Sequence, residues 1–159
     1  MRDFLIRPAT ADDVPQITAC VQAAYHPYIE RIGKRPGPLL DDYSAVVEQH
    51  HVYVVEAAAG QLAGLLVLIE QEHHLLLDNV AVHPDFQGKK LGKLLMQKAE
   101  QAARQLGYTS IILYTHEMML ENRAIYQKLG YAETHRVHEK GLDRVYMCKK
   151  LDESHQADF

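Results

Sequence analysis

Residues Pro84 to Leu106 read PDFQGKKLGKLLMQKAEQAARQL, and the fold and chemistry of the chain can be worked out from this stretch. Apolar residues recur at Leu91, Leu94, Leu95, Ala99, Ala102, Ala103 and Leu106, the i, i+3, i+4 spacing of a helix with one buried face. Lys89, Lys90 and Lys93 crowd the start of that helix around Gly88 and Gly92. A helix N-terminus carries about half a positive charge and gains about 0.3 to 1 kcal/mol from a carboxylate, so three cations there are unfavourable in the empty fold. One explanation is a solvated turn that tolerates the penalty. The other is a phosphate-bearing ligand, which would satisfy the turn N–H groups, the helix dipole and the lysines together.

Two common phosphate cradles do not fit. A P-loop needs four residues between its glycines and a Ser or Thr after its lysine, whereas only three residues separate Gly88 from Gly92 and Leu94 follows Lys93. The dinucleotide fingerprint G-x-G-x-x-G also fails on glycine spacing, and it lacks the acidic residue expected after a second strand.

With 159 residues, 47% hydrophobic and 24% charged, the chain has the composition of a globular domain with a sizeable core. A formal charge of −4 without a broad basic stripe argues against nucleic acid as a partner. The N-terminal MRDFLIRPATADD lacks the apolar region of a signal peptide, and no apolar run approaches the roughly 18 residues of a membrane span, so a cytoplasmic protein with no membrane partner is expected. Cys20 and Cys148 show no C-x-x-C spacing and are expected as buried thiols. Ten histidines include His50 beside His51, His73 beside His74, and His135 with His138. On strands, neighbours and i, i+3 residues point to opposite faces, so these are not chelating pairs and no metal is expected.

FLIRPA reads as a first strand, and Thr10 with Asp13 reads as a capping box ahead of a helix whose buried face is Val14, Ile17, Val21, Ala24 and Tyr25. Pro27 predicts that this helix stops near His26 and passes into a proline- and glycine-rich loop, then a short helix over residues 39–49. VYVVEAAAGQLAGLLVLIEQ is two strands turning at Gly60, and HLLLDNVAVHP is a third β run closed by Pro84. SIILYTH is a buried strand expected parallel to the strand before the lysine-headed helix. ENRAIYQKLG is a short helix ended by Gly130, and YAETHRVHE with DRVYMCKKL form a last hairpin around Gly141, an edge on which two copies could pair as a homodimer. The expectation is an α+β domain over residues 1–151 with a flexible tail at 152–159.

NVAVHPDFQGKKLGKLL followed by ENRAIYQKLGY closely resembles the GNAT superfamily of acetyl-CoA-dependent N-acetyltransferases, over nearly the whole chain. The shared features are V-x-P at Val82-His83-Pro84, Q-x-x-G-x-G at Gln87 to Gly92, N-x-x-x-Y at Asn122 to Tyr126, and L-G-Y at Leu129-Gly130-Tyr131. One position departs: Lys90 stands where the family's first glycine would be, so a positive φ is not expected there. The resemblance implies a single α/β/α-like domain, with a mixed, mostly antiparallel twisted sheet of about seven strands and four helices, splayed between the fourth and fifth strands.

It also implies roles. The diphosphate of acetyl-CoA, the co-substrate, would lie on Gln87, Gly88, Lys89, Lys90, Leu91, Gly92 and Lys93, where its charge reverses the penalty on the lysines. Pantetheine would add like a strand along Val80, Ala81 and Val82, with Asn122 as a further contact. Tyr126 matches the phenol that faces the departing sulfur. A phenol near pKa 10 and a thiol near about 8.5 make full proton transfer uphill by about 2 kcal/mol, so a strong hydrogen bond is the better description. Asp78 is the candidate base, with a solvated strand residue as the alternative.

For the acceptor, the loop read as Tyr25 to Tyr43 offers Tyr25, Tyr28 and Tyr43 as aromatic walls, Arg31, Lys34 and Arg35 as cations, and Glu30, Asp41 and Asp42 as anions. The resemblance puts this loop on the acceptor side, with Tyr25, Tyr28, Arg31 and Tyr43 as contacts for a small amine bearing a second polar group, or a peptide amine. Direct acetyl transfer to a primary amine is the leading function, and a non-catalytic acyl-CoA sensor is the alternative.

Overall fold

A computed structural model describes residues 4–33, 37–139 and 141–151; Lys34, Arg35 and the tail at 152–159 lie outside these. One seven-stranded sheet is made of β1 (Phe4–Pro8), β2 (His51–Ala57), β3 (Leu62–Glu70), β4 (Leu75–Val82), β5 (Ser110–His116), β6 (Ala132–Glu139) and β7 (Leu142–Lys150). Their spatial order is β1-β2-β3-β4-β5-β7-β6. β4 and β5 run parallel, as a strand–helix–strand crossover requires, and every other pair is antiparallel. The hairpin of β6 and β7 is therefore inserted with its second strand against β5.

Each face of the sheet carries its own core. On one face α3 (Leu91–Gln105) lays Leu95, Ala99 and Ala103 over Leu66, Leu75, Ile111 and Leu113, with Tyr126 of α4 (Leu120–Lys128) in the same cluster. On the other, α1 (Val14–Ile32) packs Ile17, Cys20 and Val21 onto Val54, Leu65 and Val67, and α2 (Tyr43–Gln49) adds Tyr43. Each fully buried Leu or Ile removes enough apolar surface from water to stabilise by about 1.5 to 3 kcal/mol. α1 packs on β3 and β4 and α2 on β2, so this face of β5, β7 and β6 carries little helix cover.

α1 does not stop at His26. It runs through Pro27 to Ile32 and ends at Gly33, whose φ of 80° and N–H bond to Ile29 O form a left-handed cap. Pro27 is on the exposed side of the helix, so the Ala23 carbonyl that loses its partner can turn to water. Tyr28 and Arg31, read as loop from the sequence, are thus helical and share one face with Tyr25.

Asp13 accepts two bonds from the Arg7 guanidinium, at 2.8 and 2.9 Å, and one from the Thr10 N–H at 2.7 Å. The Arg7 bonds hold its carboxyl down from 3.8 to about 2. A depressed carboxyl pKa stabilises the fold above the unfolded value and loses that contribution as pH falls through the folded one. Asp13→Asn is therefore expected to cost about 1 to 2 kcal/mol at pH 7, after screening of the half-exposed Arg7, with the gap closing between pH about 4 and about 2 in urea titrations.

Candidate active site

β4 pairs with β5 only at Leu75, Leu76 and Leu77, while it stays paired to β3 as far as Val82. Beyond Leu77 the two parallel strands diverge and leave a fork. The same point carries a β-bulge: Val67 faces Asn79 and Leu68 faces Leu77, so Asp78 is the extra residue. The bulge shifts the alternation of β4. Leu75 and Leu77 belong to the α3-side core before it; after it Val80 and Val82 pack there, and Ala81 belongs to the α1 side. Asp78 and Asn79, although successive, both bond to groups on or beside the α1 face.

Asp78 Oδ1 accepts the hydroxyl of Tyr114 on β5 at 2.8 Å. Asn79, 2% exposed, is satisfied at both ends of its amide: Tyr25 donates to Oδ1 at 2.8 Å, and Nδ2 donates to the Tyr43 hydroxyl at 3.0 Å. Tyr43 in turn donates to Pro38 O at 2.7 Å. One buried amide thus ties α1 and the start of α2 to the fork. Burial raises the phenols of Tyr25, Tyr43 and Tyr114 above their ordinary range, the last with help from Asp78, so all three remain hydroxyl donors.

Two hollows meet at the fork. A cleft of about 480 Å³ runs between α1 and α4 to the head of α3. Val80, Ala81 and Val82 form its strand wall, Gln87, Gly92 and Lys93 its far end, and Tyr25, Tyr28, Asn122 and Tyr126 its helical sides. Gly64 on β3 backs this wall so closely that a Cβ would lie 2.8 Å from Ala81 O. A smaller cavity of about 40 Å³ has Asp78, Asn79, Tyr114, Asn122, Tyr126 and Arg144 in its lining. Tyr25, Val80, Met119, Asn122 and Tyr126 border both.

At the head of α3 the first main-chain bond runs from Leu94 N–H to Lys90 O, at 3.2 Å, leaving the N–H groups ahead of it as at any helix start. Gly88, Lys89 and Lys90 are exposed on the turn, and Leu91 is buried under the helix. Lys90 has φ 64° and ψ 23°, and among the described residues it is the one non-glycine with positive φ. The expectation that the lysine would exclude this conformation is corrected. Lysine holds this geometry at a strain of roughly 1 to 2 kcal/mol.

Tyr126 is 8% exposed, and among the described residues its hydroxyl has no hydrogen-bond partner; burial raises its pKa. Its ring packs 6.1 Å from that of Tyr131. Arg31 borders neither hollow: it stacks over Tyr28 at 5.1 Å and pairs with Glu121 of α4 at 2.6 Å. Sequence reading missed Asn79, Tyr114 and Arg144. The adjacent polar pair in LLLDNVAV was a signal for the first, since an otherwise apolar strand must satisfy a buried amide. Arg144 gave none, because a charge in DRVYMCKK reads as a solvated strand face.

Among the described residues, His51 pairs with Glu70 and His138 with Asp143, and His135 stacks on Tyr146. Among the described residues no group of three or more His, Cys, Asp or Glu is placed to hold a metal, and no helix is long and apolar enough to cross a membrane.

The model of the acetyltransferase (GNAT) family matches residues 17–131. An uncharacterized N-acetyltransferase of Schizosaccharomyces pombe is 28% identical over 54% of this chain and 63% of its own length, so the chain spans less than two thirds of that relative. The L-amino acid N-acyltransferase MnaT of Escherichia coli is 30% identical over 63% of this chain and 73% of its own. Among solved structures, yncA of Salmonella typhimurium, determined with its cofactor acetyl-CoA, superposes with a TM-score of 0.74 at 22% identity, covering 96% of each chain.

Proposed function

The chain belongs to the acetyltransferase (GNAT) family, and on that premise we propose that it transfers the acetyl group of acetyl-CoA directly to the primary amine of a small acceptor with a second polar group. The observation that carries this reading is the meeting of Asp78, from the α1 side of the sheet, and Tyr126, from the α4 side, on one cavity at the fork. An acid candidate and a base candidate on opposite sides of one opening are what an amine attacking a thioester needs.

The residues present fit acetyl-CoA. The cleft has the length of strand wall and the apolar sides that a pantetheine arm would use, with unpaired main chain along β4 beyond Leu77. Lys93 and Gln87 at its end, with Lys89, Lys90 and the free N–H groups of the turn, suit a diphosphate. Acetyl-CoA supplies the activated acyl group. Tyr126, kept protonated by burial, donates a hydrogen bond to the sulfur as it leaves. Asp78 attracts the acceptor ammonium and takes one proton from it, freeing the lone pair that attacks the thioester carbon; the second amine proton leaves as the C–S bond breaks and ends on the departing thiolate. Freeing a lysine-like amine at pH 7 costs about 4.6 kcal/mol, against about 1 for an α-amino group, so a carboxylate matters more for the former. Neither Cys20 nor Cys148 lines the fork, which supports direct attack over a thiol-bound acyl enzyme. MnaT, whose name describes an L-amino acid acyltransferase, is in keeping with a small polar acceptor.

The reading is tested by thiol release from acetyl-CoA against a library of amines. Release that depends on an amine supports it. Tight binding of acetyl-CoA with no release for any amine replaces it with an acyl-CoA sensor.

Lys90→Gly separates the charge of the turn from its strain. The variant is expected to gain roughly 1 kcal/mol, a few degrees in Tm, because glycine adopts the left-handed geometry freely. Its KM for acetyl-CoA should rise and become less salt-dependent, since one phosphate-facing ammonium is gone. A Tm that does not rise removes the strain assignment.

A further inference from the structure

Resting on the acetyl-transfer reading, we propose that Arg144 holds a carboxylate of the acceptor, which makes the acceptor a zwitterion with its ammonium at Asp78 and its carboxylate close by, as in an α-amino acid. Arg144 on β7 lies opposite His116 of β5, on the sheet face that α1 and α2 leave largely uncovered. Its guanidinium carbon is 4.3 Å from the centre of the Tyr114 ring, and the Tyr114 hydroxyl is 2.8 Å from Asp78. One tyrosine therefore touches both charges, the cation on its face and the carboxylate at its tip. Both border the same small cavity beside Tyr126. An ammonium bound at Asp78 is then about one side chain away from Arg144. An ammonium and a carboxylate two bonds apart span a similar distance once each has added its hydrogen bond.

Among the described residues, Arg144 is the one Arg or Lys in the lining of that cavity. Arg31, which borders neither hollow, is spent on Glu121, and Arg123 donates to Glu117 O while facing Glu133. The Arg144 side chain is 11% exposed, so its field is weakly screened. Glu139 accepts from its Nη1 at 3.0 Å and also accepts the Tyr146 hydroxyl, which orients the fork. A guanidinium has five donors, so one ion pair leaves capacity for a second carboxylate. Arg144 also borders a hollow of about 130 Å³ with Glu117, Arg136 and His138.

The test measures thiol release from acetyl-CoA with α-amino acids, the matching α-amides and the matching decarboxylated amines. The wild-type protein is expected to prefer an acid to its amide by about 10- to 100-fold in kcat/KM, the scale of one charge-assisted hydrogen-bonded contact. In Arg144→Gln that ratio should fall toward one through a higher acceptor KM, and Arg144→Lys should restore part of it. Equal use of acid and amide by the wild-type protein overturns the proposal while leaving acetyl transfer standing, and needs no variant to fold. A preference that persists in Arg144→Gln overturns it too, as does a preference for peptide N-termini over free amino acids. Absence of thiol release with every amine overturns the transferase reading and this proposal with it.

Discussion

Tyr126→Phe is expected to lower kcat by about 100-fold with little change in the KM for acetyl-CoA. The hydroxyl is the one part of the side chain with no partner among the described residues, and the ring, packed on Tyr131, is retained by phenylalanine. A donor aimed at charge that appears only as the sulfur departs acts on the transition state and not on binding, and removing one such donor costs about 10²- to 10³-fold. Burial keeps the phenol protonated over the working range, so the loss should not depend on pH. Single-turnover rates make the check independent of product release. Wild-type rates in the variant, with chemistry limiting, would return Tyr126 to a packing role.

Asp78→Asn is expected to lower kcat/KM for the acceptor by about 10²- to 10⁴-fold, the range of a general base. The amide keeps an oxygen that can accept the Tyr114 hydroxyl, so the bulge and the Asn79 bonds should survive. The loss should be greatest below the pKa of the acceptor amine, where nearly every acceptor arrives protonated, and should shrink as the amine becomes free above it. A loss of equal size at all pH values would make Asp78 an electrostatic or structural group.

Much of the fold is legible along the chain because it is encoded locally. The apolar period after Lys90 marks α3, the short continuous apolar runs in LLVLIE and SIILY mark β3 and β5 as buried strands, and the parallel relation of β4 and β5 follows from the helix between them. The lysine-rich turn could be read as a phosphate site from charge at a helix N-terminus alone. The family resemblance then rested on motifs whose order matched those elements.

What the local signals misplaced depends on distant partners. Pro27 predicts a break, but the helix around it continues because its outer side can give a carbonyl to water while Tyr25 is anchored on Asn79. Lys90 would avoid a left-handed backbone by itself, yet it adopts one at the head of α3. Strict alternation puts Asp78 and Asn79 on opposite faces of β4. The bulge, set by pairing with β3, interrupts the period of two and turns both toward the α1 side, one to Tyr114 and the other to Tyr25 and Tyr43. Arg144 comes to the same cavity from β7, far along the chain from Asp78, because the last hairpin is inserted beside β5. Periodicity and charge in this sequence thus specify elements and the turn proposed to hold the coenzyme. The proposed acceptor side depends on strand register and sheet order, which are long-range and leave no mark on any one segment.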